Sequence, residues 1–365
     1  MKIKDYATKY NEIAGNLMVS FAETKKGENI VFSPLSFIVL LSIAADAVSG
    51  KTRDEIIDVI GCGKRYDELM DVISKIQANF EESGSIMSSN AVCVKDIISE
   101  SIRDGYEERL KNIFDGKIFI SKDIVRDVNI WVKDKTKGMI VNAVDESANQ
   151  MMAFLINAIA FESEWMEQYE EYEIQIGKFN NADGTVSEVQ MLNSMEDGYI
   201  ENDFFTGFLK PYKDEKYAFM ALLPKKKSSL FMLRGIKQID YSRLFNEVKK
   251  GIVHVTMPEF KYDFGENLTE LCKKWGINTL FTSDSDFSPM SSKRLMMDSI
   301  IHKAHIEVDR NGTKAAAATI AYVAAGCAPN VEFKAVRLDR PFVYAILDTE
   351  TGVPIFAGLF SQVDK

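Results

Sequence analysis

Apolar positions recur at helical spacing from the start of the chain, where Tyr6, Tyr10, Ile13, Leu17 and Phe21 fall on one face of a helix. A second helix is expected over the apolar run from Phe37 towards Val48, with Ser36 as its cap and Gly50 as its stop. Helices therefore dominate the first third. Later the period changes. Residues 218–224 and 252–257 read as strands, the second half of 300–309 alternates, and a strand-like run follows around 331–336. Residues 341–347 are apolar for long enough to make a buried strand. This order implies an α+β chain with large, mainly antiparallel sheets.

One segment fits two structures. Residues 312–325 read Gly-Thr-Lys-Ala-Ala-Ala-Ala-Thr-Ile-Ala-Tyr-Val-Ala-Ala. Alanine has the best helix propensity, which favours a helix. As a strand, the segment would split into two faces. Thr313, Ala315, Ala317, Thr319, Ala321, Val323 and Ala325 are small and uncharged, whereas Lys314, Ile320 and Tyr322 share the other face with alanines. The small face can slide between two strands without burying a charge. Asn311-Gly312 supplies a turn signal upstream and Pro329 follows downstream, so a helix here would lack a strong cap or stripe. A long connection with a latent strand pattern is the better fit.

The 365-residue length would allow two or three domains, yet no linker, repeat or low-complexity spacer divides the chain. One large domain, or lobes sharing a core, is expected. The longest apolar stretch, 37–45, is too short for a bilayer, which needs about 20 residues. The first residues lack the apolar core and cleavage site of a signal peptide. The protein is expected outside the cell or at its surface after removal of a leader, with the cytoplasm as the alternative. A net charge of −10 argues against nucleic acid.

Four cysteines, Cys62, Cys93, Cys272 and Cys327, lie far apart without a CxxC pair, so neither zinc nor a redox motif is expected. Cys272 shares a helical face with Leu268, Leu271 and Trp275 and reads as a small core hydrophobe. Cys327 falls in the connecting segment. The histidines number three, His254, His302 and His305, each on a strand, and no HExxH, GxSxG, P-loop or GxGxxG motif occurs. No enzyme chemistry, metal or cofactor is expected.

Several stretches together resemble the serpin family of serine protease inhibitors, in particular its prokaryotic inhibitory members. Residues 308–319 resemble the serpin hinge, and His302-Lys303-Ala304 the strand leading into it. Asn29-Ile30-Val31-Phe32-Ser33-Pro34-Leu35-Ser36 resembles the shutter segment; Asn129-Ile130-Trp131-Val132 and the run 155–165 match two further signatures. Met257-Pro258-Glu259-Phe260-Lys261, Asp286-Phe287-Ser288 and Pro354-Ile355-Phe356-Ala357-Gly358 follow in the family's order.

The resemblance implies a single serpin domain over 1–365, helices packed on large mainly antiparallel sheets, and an exposed reactive-centre loop at about 310–338. It assigns Gly312, Thr313, Lys314, Ala315, Ala316, Ala317, Ala318 and Thr319 to the hinge. Ser33, Ser36, Asn157, His302 and Trp165 become shutter and breach residues, with His302 a structural hydrogen-bonding post. The implied mechanism is suicidal. A serine protease attacks the loop, forms an acyl-enzyme, and is carried off as the freed hinge inserts into a sheet before deacylation. Such a native state is metastable and kinetically held. Heparin-activated members carry a basic helix in their first third; here 66–73 and 80–82 are acidic, so no heparin partner is expected. A monomer is expected.

The family's loop length places the scissile residue at Gly326, and the neighbouring Cys327-Ala328 bond is chemically the better one. Small residues from Val323 to Ala328, with no Arg or Lys at the tip, suit an elastase-like pocket. Arg310 and Lys314 replace commonly acidic family positions, both on the expected solvent face. Val336-Arg337-Leu338 reads as an insertion that leaves the cleavage register open by one residue. The rival readings are a non-inhibitory serpin-like binding or chaperone protein, against which the alanine hinge argues, and a cross-linker acting through Cys327.

Overall fold

The structure, a computed structural model, describes residues 3–61, 63, 65–313 and 333–363. Hinge residues Lys314, Ala315, Ala316, Ala317, Ala318 and Thr319, the bond candidates Gly326, Cys327 and Ala328, and Cys62 lie outside the described residues. The chain forms two compact units. One comprises Met1–Lys9, Leu35–Ala160 and Asp263–His305, the other Tyr10–Pro34, Phe161–Tyr262 and Ile306–Lys365.

In the first unit, helix Pro34–Ala47 is buried on every side, which its continuous apolar sequence requires. It starts at Pro34, three residues before the Phe37 start that the capping reading of Ser36 implies. Pro34 opens the helix, since its fixed φ and missing N–H suit a first turn. Ser36 thus lies inside that turn and is not its cap. Gly50 does not end this helix either: it opens the next one, Gly50–Ile60, with φ +55°. Strand Ala153–Phe161 is buried at all nine positions and pairs parallel with Ser299–Val308, from Ser299 opposite Phe154 to His305 opposite Ala160. A near-continuous apolar run is what a strand covered on both faces needs. Ile86–Lys95 pairs parallel with Gly116–Ser121. This sheet is therefore not antiparallel as a whole, because alternation fixes which face a residue takes and leaves strand direction open. Helix Ile124–Lys135 lays Val128 and Val132 on a core with Phe154, Ile156 and Ala158. Asn129 ties it to the following segment: its Oδ1 accepts from the N–H groups of Ala143 and Val144 at 2.8 and 2.9 Å. The Cys272 thiol is buried in this unit, and burial pushes its pKa up to about 12.

Among the described residues, the second unit carries a nine-stranded sheet, antiparallel throughout except for one parallel edge pair. Its centre is strand Tyr217–Pro224, buried at every position, between Phe205–Pro211 and Phe342–Asp348. Of residues 336–338, Val336 and Arg337 lie in a regular edge strand and Leu338 follows it. Strand Lys334–Arg337 pairs parallel with Lys249–Pro258, Val336 opposite Val255, and the Leu338 N–H donates to Thr256 O at 2.8 Å.

Candidate functional site

The segment expected to act as the hinge begins in a tight turn whose geometry the sequence specifies locally. Asp309 Oδ1 accepts from the N–H groups of Asn311 and Gly312 at 2.7 and 3.1 Å, while the Asp309 N–H donates to Gly312 O at 2.9 Å. The chain then forms the two-residue strand Gly312–Thr313, antiparallel to Val308 on one side and to Ser163–Glu164 on the other. Glycine is needed at 312 for closeness. A Cβ there would collide with the Ser163 carbonyl oxygen and lie 2.8 Å from Glu164 Cα.

Thr313 is wholly buried, and its Oγ1 hydrogen-bonds the Tyr212 hydroxyl at 2.6 Å. Burial pushes the Tyr212 pKa up, so the phenol keeps its proton. The Tyr212 ring stacks on Trp165 at 4.6 Å between centroids and 12° between planes. Trp165, also wholly buried, fastens the turn with both of its N–H groups. The backbone one donates to Asn311 O and indole Nε1 to Asp309 O, each at 2.9 Å.

Around this stack lies a buried ion pair, Lys210 Nζ to Glu196 Oε1 at 2.8 Å. Glu196 Oε1 also accepts from Ser194 Oγ at 2.6 Å, and Lys210 Nζ sits 4.6 Å from the Tyr169 ring centroid. Burial opposes the Lys210 charge; Tyr169 and Glu196 together outweigh it and hold the ammonium above its ordinary pKa. Arg310 is not an idle solvent-face substitution. Its Nη1 pairs with Glu171 at 2.7 Å and its Nε lies 3.5 Å from Glu259. With those carboxylates present, an acidic residue at 310 would be repelled.

A second polar cluster lies on the parallel strand pair. Asn157, fully buried, donates from Nδ2 to Asn90 Oδ1 at 2.8 Å and to Ser88 Oγ at 3.2 Å. Asn90 passes the chain on, donating to Phe114 O at 2.9 Å. His302 stands opposite Asn157 in the strand register, 2% exposed. Burial, helped by the Lys303 charge, lowers its pKa from 6.5 to about 3, so the imidazole is neutral. Ser33 and Ser36 are both buried at the start of helix Pro34–Ala47. The structure thus groups Thr313 with Trp165, and Asn157 with His302. Tyr212, Asn90 and Ser88 go unnoticed in the sequence, and no local signal marks them, because the side-chain partners that place them lie well beyond any local window, at Thr313 and Trp165 for Tyr212, and at Asn157 for Asn90 and Ser88. Arg310 is legible in the sequence, whereas its partners Glu171 and Glu259 are set by the fold.

The family model described as Serpin (serine protease inhibitor) matches residues 8–363. Serpin-Z3 of Arabidopsis thaliana is 28% identical over 95% of both chains. A serpin-like protein of Thermococcus kodakarensis is 26% identical over 96% of this chain and 82% of that one. Among solved structures, a thermophilic serpin, tengpin, in its native state superposes with a TM-score of 0.87 at 29% identity, covering 98% of this chain and 94% of that one. Arabidopsis AtSerpin1 in its native stressed conformation matches in fold, with a TM-score of 0.85 and 22% identity over 99% of each chain. The sequence signatures and the family match over nearly the whole chain agree: this protein belongs to the serpin family.

Proposed function

We propose that the protein is a suicide inhibitor of a serine protease with elastase-like specificity. The observation that carries this reading is the strand Gly312–Thr313, antiparallel to both of its neighbours. Those neighbours continue the chain of two strands, Ala153–Phe161 and Ser299–Val308, that pair parallel with each other through residues 154–160 and 299–305. Residues from 314 onward, freed by cleavage, would exchange that one parallel ladder for two antiparallel ones. Antiparallel pairing is somewhat more stable per residue, and the exchange adds a ladder, so insertion runs downhill once the pair opens.

Parity supports the same direction. Thr313 is buried, and the residues that would share its face in a continued strand, Ala315 and Ala317, are small and uncharged. Attack on a bond among Gly326, Cys327 and Ala328 leaves the protease as an ester on the loop, and insertion must outrun hydrolysis of that ester. The small residues around that bond fit a small apolar pocket and offer no basic anchor. No polyanion cofactor is invoked.

The test is to mix the protein with a neutrophil-type elastase and run a denaturing gel. A band at the summed mass supports inhibition. A clipped chain alone refutes it and favours a non-inhibitory binding role.

A further inference from the structure

A cavity of about 280 Å³ opens in the first unit, between the segment 142–151, the strand Phe260–Asn267 and the strand Ser299–Val308. Its floor is apolar: Val144 and Ala148 are buried core residues, with Met151 and Ile301 packed against them. Its rim is charged with both signs. Lys303 lies across Gly265, where a Cβ would overlap its ammonium and sit 2.6 Å from its Cδ, so glycine at 265 is what lets the lysine chain occupy this place. Beyond its strand ladder, the Lys303 side chain makes no hydrogen bond or ion pair among the described residues. Asp145 lines the same cavity. Its Oδ1 accepts from the Ser147 N–H and hydroxyl at 2.9 and 2.5 Å, which leaves Oδ2 outside those bonds.

A bare carboxylate would gain Lys303 and be repelled by Asp145 and Glu266, which also lines the cavity. A bare amine would suffer the reverse. A molecule with both charges on one carbon and an apolar tail satisfies all three surfaces. We infer that this cavity binds a free apolar α-amino acid, its carboxylate on Lys303, its ammonium on Asp145 and its side chain on the floor of Val144, Ala148 and Ile301. The volume suits a ligand of that size and is below that of a drug-sized pocket.

Such a ligand would also act on inhibition, a consequence that rests on the insertion mechanism proposed above. It would bridge the segment 142–151 to the strand carrying Lys303, which is one of the two strands that must part. Occupancy would then slow insertion and raise the amount of inhibitor cleaved per complex formed.

Binding itself is tested without protease, so its failure is separate from any failure of the inhibitory reading. The full chain is titrated by calorimetry with L-leucine and L-phenylalanine, with N-acetyl-L-leucine and L-leucinamide as one-charge controls. The amino acids should bind, and each control should bind about 10- to 100-fold more weakly, the usual effect of losing a charged hydrogen bond. Lys303→Met, which keeps the aliphatic stem, and Asp145→Asn, which keeps an acceptor for Ser147, should each weaken binding to a similar degree. No heat with either amino acid overturns the proposal, as does equal binding of a control or unaltered affinity in both variants. If Lys303→Met fails to fold, Asp145→Asn and the ligand controls decide.

Discussion

Acidification should destabilise this protein through His302 in a way that a single substitution removes. The imidazole is 2% exposed and titrates near 3 in the native state against 6.5 when free. The unfolded chain therefore binds a proton that the native state refuses. Stability is fully present above 6.5 and is lost progressively as the pH falls towards 3. Between about pH 7.5 and about pH 5 the loss is 1.36 times the change in log(1 + 10^(6.5 − pH)), about 2 kcal/mol. With urea slopes of about 1–3 kcal/mol/M, the unfolding midpoint should drop by roughly 1 M over that interval. Carboxylates titrate as well, so the informative quantity is the difference between the wild type and His302→Gln, followed by tryptophan fluorescence. The variant should be less stable at neutral pH and lose about 2 kcal/mol less on acidification. Parallel pH dependences in the two proteins would refute the assignment of a buried neutral imidazole. Because His302 stands on the strand pair that must open, incubation at about pH 5 should also inactivate wild type faster than the variant, if insertion is the mechanism.

Tyr212→Phe leaves the buried Thr313 hydroxyl without its partner and should cost about 1–3 kcal/mol, read from the thermal midpoint; an unchanged midpoint would mean the 2.6 Å bond carries no weight. Lys210→Met strands the Glu196 carboxylate and should destabilise by about 3–5 kcal/mol, with Lys210→Met/Glu196→Leu recovering most of it; a double variant as unstable as the single one argues against a charge effect. Ala317→Glu should turn an inhibitor into a substrate, since a charge on the inserting face costs several kcal/mol, and a wild-type stoichiometry of inhibition would sink the parity argument. Cys327→Arg should move inhibition towards trypsin-like proteases, and mass spectrometry of elastase fragments reports the register directly; cleavage outside 325–328 overturns the choice of bond.

The sequence by itself determined what depends on neighbours along the chain. The helical repeat of Tyr6 to Phe21 became helix Ile3–Thr24, and the apolar runs at 218–224, 252–257 and 341–347 became strands Tyr217–Pro224, Lys249–Pro258 and Phe342–Asp348. The Asn311-Gly312 turn signal became the turn that Asp309 closes onto Gly312, while of the alternation at 312–325 only Gly312 and Thr313 are described, and both are buried. Helix ends were less legible: a serine near an apolar run looks like a cap at Ser36, while Pro34 two residues earlier sets the start. Only the tertiary structure decided partnership. Periodicity says which side a residue faces and nothing about what it meets there. The parallel pairing of Ala153–Phe161 with Ser299–Val308, the Trp165 indole on Asp309 O, and the Asn157 bonds to Asn90 and Ser88 all join residues at least 67 positions apart. They are fixed by the competition among all strands and buried polar groups for partners inside one core, a condition that no local stretch of sequence contains.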